Sequence, residues 1–307
     1  MKKIGSLLAC VVMLAGGPAW AQTPDKPGIL LLAHGGSPAW NAEVEALAAK
    51  VDATMPVETA FGMATRTTMQ AAVDRLVARG VTRISAVPLF VSSHSSVITS
   101  TAYLLGARKE APADLAIFAK MSHGGSGGGH GVAGMIVVAA ADPTSPVTSP
   151  VPIRMSPALG PHPIVSDILV SRAKEVSRDP AKESVILVAH GPVPDDDNRR
   201  WLEDLAVHAG RIRQAVPFAS VDGLTVRDDA PAPIREAASA DLRALVTRRI
   251  GEGSRVLIVP VLLSFGGIEA GVRNRLDGLD YTMGRQGIIP DDRLIGWILE
   301  MAKSGNR

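Results

Sequence analysis

The chain contains an internal repeat, and this repeat restricts its possible folds more than any other feature. An apolar run ending in Ala-His-Gly occupies residues 29–35, and a second one occupies residues 185–191. Each copy continues through a turn to an asparagine that opens an acidic, helix-like stretch, and then to another apolar run built around a proline, Pro88 or Pro260. A repeat of this length predicts two similar lobes with polar residues at matching strand ends.

Residues 1–21 have the features of a secretory signal peptide. Lys2 and Lys3 precede a short apolar run, and an Ala-Trp-Ala sequence ends at Ala21. This pattern predicts cleavage after Ala21 and a periplasmic or secreted mature protein. The alternative is a lipoprotein with a lipid attached to Cys10, but the apolar segment before this cysteine would be too short for that.

Composition excludes several classes of protein. The chain has 32 basic and 30 acidic residues and one cysteine, Cys10. Loss of the leader would remove Lys2, Lys3 and Cys10, which balances the charge and excludes a disulfide, a thiolate ligand or an iron–sulfur cluster. A metal would then rest on His, Asp, Glu or water. Balanced charge argues against nucleic-acid binding, and no later apolar stretch reaches the ~20 residues of a membrane span.

Strand-like and helix-like segments alternate in both halves. Residues 67–79 and 234–250 carry apolar side chains at helical spacing, and glycines follow each of them. The order strand, helix, strand predicts parallel sheets with right-handed crossovers. We therefore predict an α/β fold of two lobes, residues 22–176 and 183–307, each with a parallel sheet flanked by helices.

The first lobe carries an insertion at about residues 110–150. Residues 122–131 are rich in glycine and include His123 and His130, and residues 143–150 are rich in proline, serine and threonine. This composition predicts a flexible loop followed by an extended one. The segment is either a solvated linker or a loop that collects metal ions through its two histidines.

Two histidines of the first lobe follow neighbouring strands. His34 comes directly after the first strand, and His94 follows the proline strand after a serine-rich turn. Adjacent ends of parallel strands open onto one edge of a sheet, where ligands bind. We therefore predict that His34 and His94 meet across one cleft and form a functional site, the alternative being that each histidine is a hydrogen-bonded residue of its turn.

The second lobe differs at the corresponding positions. His190 is retained, but the loop after Pro260 has no histidine and carries Glu269 instead. A His/Glu pair is able to bind a divalent cation or to share proton transfer. The alternative is a structural role, in which His190 stabilises the turn after its strand and Glu269 lies in solvent beside a glycine bend.

These residues resemble a known family. The Ala-His-Gly strand ends, Asn41, the loop that ends at His94 and the Leu-Gly-Pro-His-Pro turn at residues 159–163 are similar to the CbiX-type sirohydrochlorin cobaltochelatases, in their long form with two lobes. His190 and Glu269 are similar to the His/Glu pair of ferrochelatases. The resemblance implies a chelatase-like fold and ATP-independent insertion of a divalent metal into a tetrapyrrole, with His34 and His94 as metal ligands and catalytic residues.

The same resemblance leaves the metal and the role of each lobe open. Cobalt is the expected metal substrate, with nickel and iron as alternatives because histidine binds all three. A competing interpretation is a non-catalytic metallochaperone or tetrapyrrole carrier, which the Gly/His insertion and the export signal favour. A periplasmic substrate-binding protein is a third interpretation, although the repeated His-Gly strand end is not typical of that class.

Overall fold

A computed structural model describes residues 25–124 and 141–304, with only the backbone described for residues 121–124. The predicted signal peptide and most of the glycine-rich part of the insertion, including His130, lie outside the described residues. Among those that are described, no helix combines the length and the apolar character needed to cross a membrane.

The first lobe is a parallel sheet of four strands in the order β2-β1-β3-β4. Helices connect its strands. The elements are β1 (Pro27–Ala33), α1 (Pro38–Asp52), β2 (Val57–Phe61), α2 (Arg66–Ala78), β3 (Arg83–Leu89), α3 (Ser96–Leu104), α4 (Leu115–Gly124), β4 (Ile153–Met155) and α5 (Pro163–Val176).

The second lobe repeats this topology, with the strand order β6-β5-β7-β8 and parallel pairing throughout. A single 3-10 turn, Pro180–Lys182, precedes it. The elements are β5 (Glu183–Ala189), α6 (Asp195–Ala215), β6 (Ser220–Thr225), α7 (Ala232–Gly251), β7 (Arg255–Val261), α8 (Ile268–Arg275), β8 (Thr282–Met283) and α9 (Arg293–Ser304). The predicted α/β class and the two similar lobes are confirmed.

The acidic helices begin earlier than the sequence suggested. Asn41 and Asn198 lie inside α1 and α6, which start at Pro38 and Asp195. Proline suits the first helical position because it lacks an N–H and its φ is already helical, and Ser37 caps α1 by accepting a bond from the backbone of the first turn. Three aspartates in the first turn of α6 complement its helix dipole.

The insertion is more ordered at its edges than its composition indicated. Helix α4 extends to Gly124, so the first residues of the segment expected to be a loop are helical. The helix is anchored by Leu115 and Phe118, which are buried in the core of the first lobe. On the far side, Val147 donates its backbone N–H to Leu104 O at 2.8 Å, which holds the extended part against α3.

The apolar core is shared between the lobes. One cluster joins the inner faces of both sheets to α1, α5, α6 and α9, while two smaller clusters cover the outer faces. Helix α5, which ends the first lobe in sequence, packs on β7 of the second lobe, and α9 packs on β3 of the first. Each closing helix therefore completes the core of the other lobe.

Candidate functional site

His34 is the first residue after β1, the strand that lies between β2 and β3. The last residue of β1, Ala33, pairs with Phe61 of β2 and with Leu89 of β3. The His34 side chain is exposed, and its ring centroid lies 6.2 Å from that of Trp40. Its Nδ1 contacts Gly35 O. A carbonyl oxygen only accepts hydrogen bonds, so this contact requires the Nδ1–H tautomer and leaves the Nε2 lone pair available to a cation.

His94 lies in the loop between β3 and α3, residues 90–95, which we call the His94 loop. The turn that the sequence singled out at residues 159–163 helps to hold it. Leu159 N donates to Phe90 O at 3.1 Å, and Gly160 N donates to Val91 O at 2.9 Å. The backbone of the residue before this turn donates to Ser93 Oγ at 2.9 Å. The His94 side chain is half-buried.

The parallel pairing of β1 with β3 places His34 and His94 beyond neighbouring strand ends on one edge of the sheet. Their joint role as metal ligands and catalytic residues stays a prediction. Across residues 25–120 and 141–304, no cluster of three or more His, Cys, Asp or Glu side chains is arranged to hold a metal ion.

The second lobe places a different carboxylate beside its histidine. His190 Nε2 lies 3.4 Å from Asp229 Oδ2, an ion-pair distance without hydrogen-bond geometry. Glu269 lies at the start of α8, where its Oε2 accepts the backbone N–H of Gly266 at 3.2 Å and of Gly267 at 2.9 Å. The predicted pairing of His190 with Glu269 stays a prediction. Asp229 was missed, although it follows β6, the neighbour of the strand that ends before His190.

Three further residues near the His94 loop come from α6 of the second lobe. Trp201 Nε1 donates to His94 O at 2.6 Å, and Asp204 Oδ2 accepts a bond from Ser92 Oγ at 3.1 Å. His208 is 2% exposed and Nε2 donates to Gly160 O at 3.1 Å. None of the three was predicted from the sequence, although their spacing puts them on one face of a helix.

Burial dominates the electrostatics of this α6 face. It lowers the pKa of His208 to about 4, which keeps the ring neutral at ordinary pH. Burial also raises the pKa of Asp204, against the opposing effects of the hydrogen bond from Ser92 and the positive charge of a protonated His94.

Comparisons with known proteins agree with this architecture. Residues 28–176 match the CbiX family model. SirB from Bacillus subtilis with Fe³⁺ is 17% identical, with a TM-score of 0.58 over 91% of this chain and 95% of that chain. The cobalt complex of the sirohydrochlorin chelatase SirB from Bacillus subtilis subspecies spizizenii is 16% identical, with a TM-score of 0.55 over the same shares.

A third similar structure is CbiX, described as the terminal enzyme for biosynthesis of siroheme in denitrifying bacteria. It is 16% identical, with a TM-score of 0.52 over 90% of this chain and 98% of that chain. No curated protein sequence matches the chain. At these identities the structural likeness shows the fold alone. The family model adds a sequence match to CbiX, which covers residues 28–176, just under half of the chain.

Proposed function

We propose that this protein inserts a divalent metal ion into a sirohydrochlorin-type tetrapyrrole without ATP, with the metal as a substrate. The observation that carries the proposal is the position of His34 and His94 after neighbouring parallel strands, within the half of the chain that matches the CbiX family. The similar SirB structures are described with Fe³⁺ and with cobalt, which supports a transition-metal ion as the substrate.

The chemistry requires a metal ligand and a proton acceptor at one place. When a divalent ion enters the macrocycle, two pyrrole N–H protons leave, so that one metal ion and one free tetrapyrrole give one metal complex and two protons. Histidine is suited to both tasks because imidazole binds borderline metals and exchanges protons near neutral pH. His34 and His94 would hold the ion, and one of them would accept a proton as the macrocycle closes on it.

Cobalt is the metal we propose, with nickel and iron as the alternatives that histidine ligation also permits. We place the primary site in the first lobe, because the contact of His34 Nδ1 with Gly35 O leaves the Nε2 lone pair available to a cation. In the second lobe, His190 Nε2 is buried beside Asp229, and Glu269 already binds two backbone amides. A second metal site at His190 and Glu269 would require both side chains to leave these contacts.

An anaerobic absorbance assay tests the function. Purified protein would be mixed with sirohydrochlorin and Co²⁺, Ni²⁺ or Fe²⁺, and metallation followed by the change in the macrocycle spectrum. We expect turnover with Co²⁺. The variants His34→Ala and His94→Ala should each lose activity by at least about 100-fold, as is typical when a ligand or proton acceptor is removed.

The variant His190→Ala is the matched comparison from the second lobe, and we expect it to keep most of the activity. Circular dichroism would establish that all three variants remain folded. If His34→Ala and His94→Ala both metallate the substrate at the wild-type rate, the assignment of the site to these two histidines is wrong. Tight binding of metal or tetrapyrrole without turnover would refute the enzyme and favour a carrier.

A further inference from the structure

We propose that Trp201 and Asp204, on α6 of the second lobe, are positioning residues for His94 in the first lobe. The proposal rests on the proposed function only for the role of His94 as a metal ligand. The contacts that hold the His94 loop against α6 do not depend on that role. It implies that the site in the first lobe is incomplete without the second lobe.

Both backbone polar groups of His94 connect to α6. Its carbonyl oxygen accepts the indole N–H of Trp201 at 2.6 Å. Its backbone N–H donates to Ser92 Oγ at 3.3 Å, and that hydroxyl donates to Asp204 Oδ2 at 3.1 Å. One connection is direct and the other passes through Ser92. Together they fix the peptide groups on either side of His94, and hence the direction in which its side chain leaves the loop.

These bonds are partly buried, because Ser92 is buried while His94, Trp201 and Asp204 are half-buried. Ser92 is 2% exposed. A cavity of about 10 Å³ separates the His94 loop from α6, lined by Val91, Ser92, Trp201, Asp204, Leu205, His208 and Val261. It has room for about one water molecule at most. Loss of the Asp204 carboxylate would leave the buried Ser92 hydroxyl without its acceptor, and loss of the Trp201 indole would leave the half-buried His94 carbonyl without this donor; both losses carry a cost.

The second lobe makes the equivalent contact with the first lobe. Ser264 lies four positions after Pro260, as Ser92 does after Pro88. Its Oγ donates to Glu43 Oε2 on α1 of the first lobe. Each loop that follows a proline strand is therefore tied to the first helix of the other lobe. This repetition indicates that such a contact is a regular part of the packing between the two lobes. The bond between Ser264 and Glu43 also supplies a matched control.

The test compares variants that keep or remove each bond. Trp201→Phe keeps an aromatic ring but loses the N–H. Asp204→Asn keeps an oxygen that accepts the Ser92 bond, whereas Asp204→Leu removes it. Glu43→Leu breaks only the equivalent bond in the other direction. All would be measured on the full chain, first without metal and then with Co²⁺ alone.

Without metal, the imidazole resonances of His94 and the hydrogen exchange of residues 90–95 report the position of the loop. We expect Trp201→Phe and Asp204→Leu to shift the His94 signals and to speed exchange of the loop by about five- to tenfold, the scale of one lost buried hydrogen bond. Glu43→Leu should leave both measurements close to wild type. Asp204→Asn should leave the exchange of the loop close to wild type and should shift the His94 signals only through the loss of the nearby charge.

With Co²⁺, Trp201→Phe and Asp204→Leu should weaken binding by a similar factor. In a His94→Ala background they should add no further loss, because their effect passes through His94. Unchanged His94 signals in both variants would overturn the proposal, as would an equal additional loss in the His94→Ala background. If the wild-type protein binds no Co²⁺, the proposed function fails, and the metal-free measurements alone decide whether α6 positions His94.

Discussion

At the scale of single residues, His208 shows how burial sets the chemistry of a side chain near the site. Its Nδ1 accepts a bond from Ser166 Oγ at 2.7 Å, and its Nε2–H donates to Gly160 O. Both ring nitrogens are thereby used, and protonation would replace an acceptor with a second donor facing a hydroxyl group. The neutral ring therefore makes the pattern of bonds that joins α5, α6 and the turn beside the His94 loop.

This neutrality predicts a pH dependence of stability. The pKa of His208 is lowered from 6.5 to about 4 in the fold. Between those values the unfolded chain binds a proton that the folded chain does not, so the free energy of unfolding falls as pH falls. We expect a loss of up to roughly 3 kcal/mol by pH 4 from this residue, and no contribution above pH 6.5.

Urea unfolding at a series of pH values between 4 and 7 measures this dependence. The variant His208→Asn lacks the titrating ring and should show a correspondingly smaller slope in that range, although it is less stable at pH 7. Equal slopes for the two proteins would show that His208 is not the group responsible.

At the scale of elements, the exchange of α5 and α9 is the main feature that joins the lobes. Ser85 Oγ of β3 donates to Ala302 O of α9 at 2.8 Å. In the other direction, the buried Arg172 of α5 donates to Gly287 O and Pro290 O, both at 2.9 Å. These bonds place each closing helix on the opposite lobe, so neither lobe has a complete core of its own.

Removal of the largest side chain of α9 tests this exchange. Trp297 is 2% exposed within the shared core, and its indole N–H has no hydrogen-bond partner among the described residues. Trp297→Ala should lower the free energy of unfolding by about 3–5 kcal/mol. Trp297→Phe should cost less, because it keeps most of the ring and removes an unpaired donor.

Chemical unfolding measures both losses, and hydrogen exchange shows where they act. Because α9 covers β3, amides of β3 in the first lobe should lose protection in Trp297→Ala. A loss confined to the second lobe, with β3 unaffected, would contradict the exchange of helices.

At the scale of the whole molecule, the two lobes share a continuous central core. Contacts between the lobes include the core, the exchanged helices and the bonds of both proline-strand loops. We therefore expect cooperative unfolding of the full chain rather than two separate transitions.

We also propose that the protein is exported and cleaved after Ala21. The charged start, the short apolar run and the Ala-Trp-Ala sequence support this proposal. Mass spectrometry of the protein from a periplasmic fraction should give a chain that begins at Gln22 and carries no lipid. A species that retains residues 1–21, or a lipidated Cys10, would contradict it.

Much of the fold was predictable because the relevant signals are local. The apolar runs of β1 and β5 and the helical spacing in α2 and α7 depend on neighbouring residues, and the repeat predicted the same topology twice. The position of His34 and His94 after adjacent strands followed from the parallel order. The earlier starts of α1 and α6 and the helical end of the insertion were missed, since these boundaries depend on caps and on buried anchors.

The sequence alone determined that there are two parallel α/β lobes and which polar residues follow their strands. Only the tertiary structure decided which sheet each closing helix covers, because an apolar helix face carries no information about its partner. It also decided that Trp201 and Asp204 reach the His94 loop, across separations of 107 and 112 residues. Such contacts depend on how the lobes pack against each other, which no local pattern specifies.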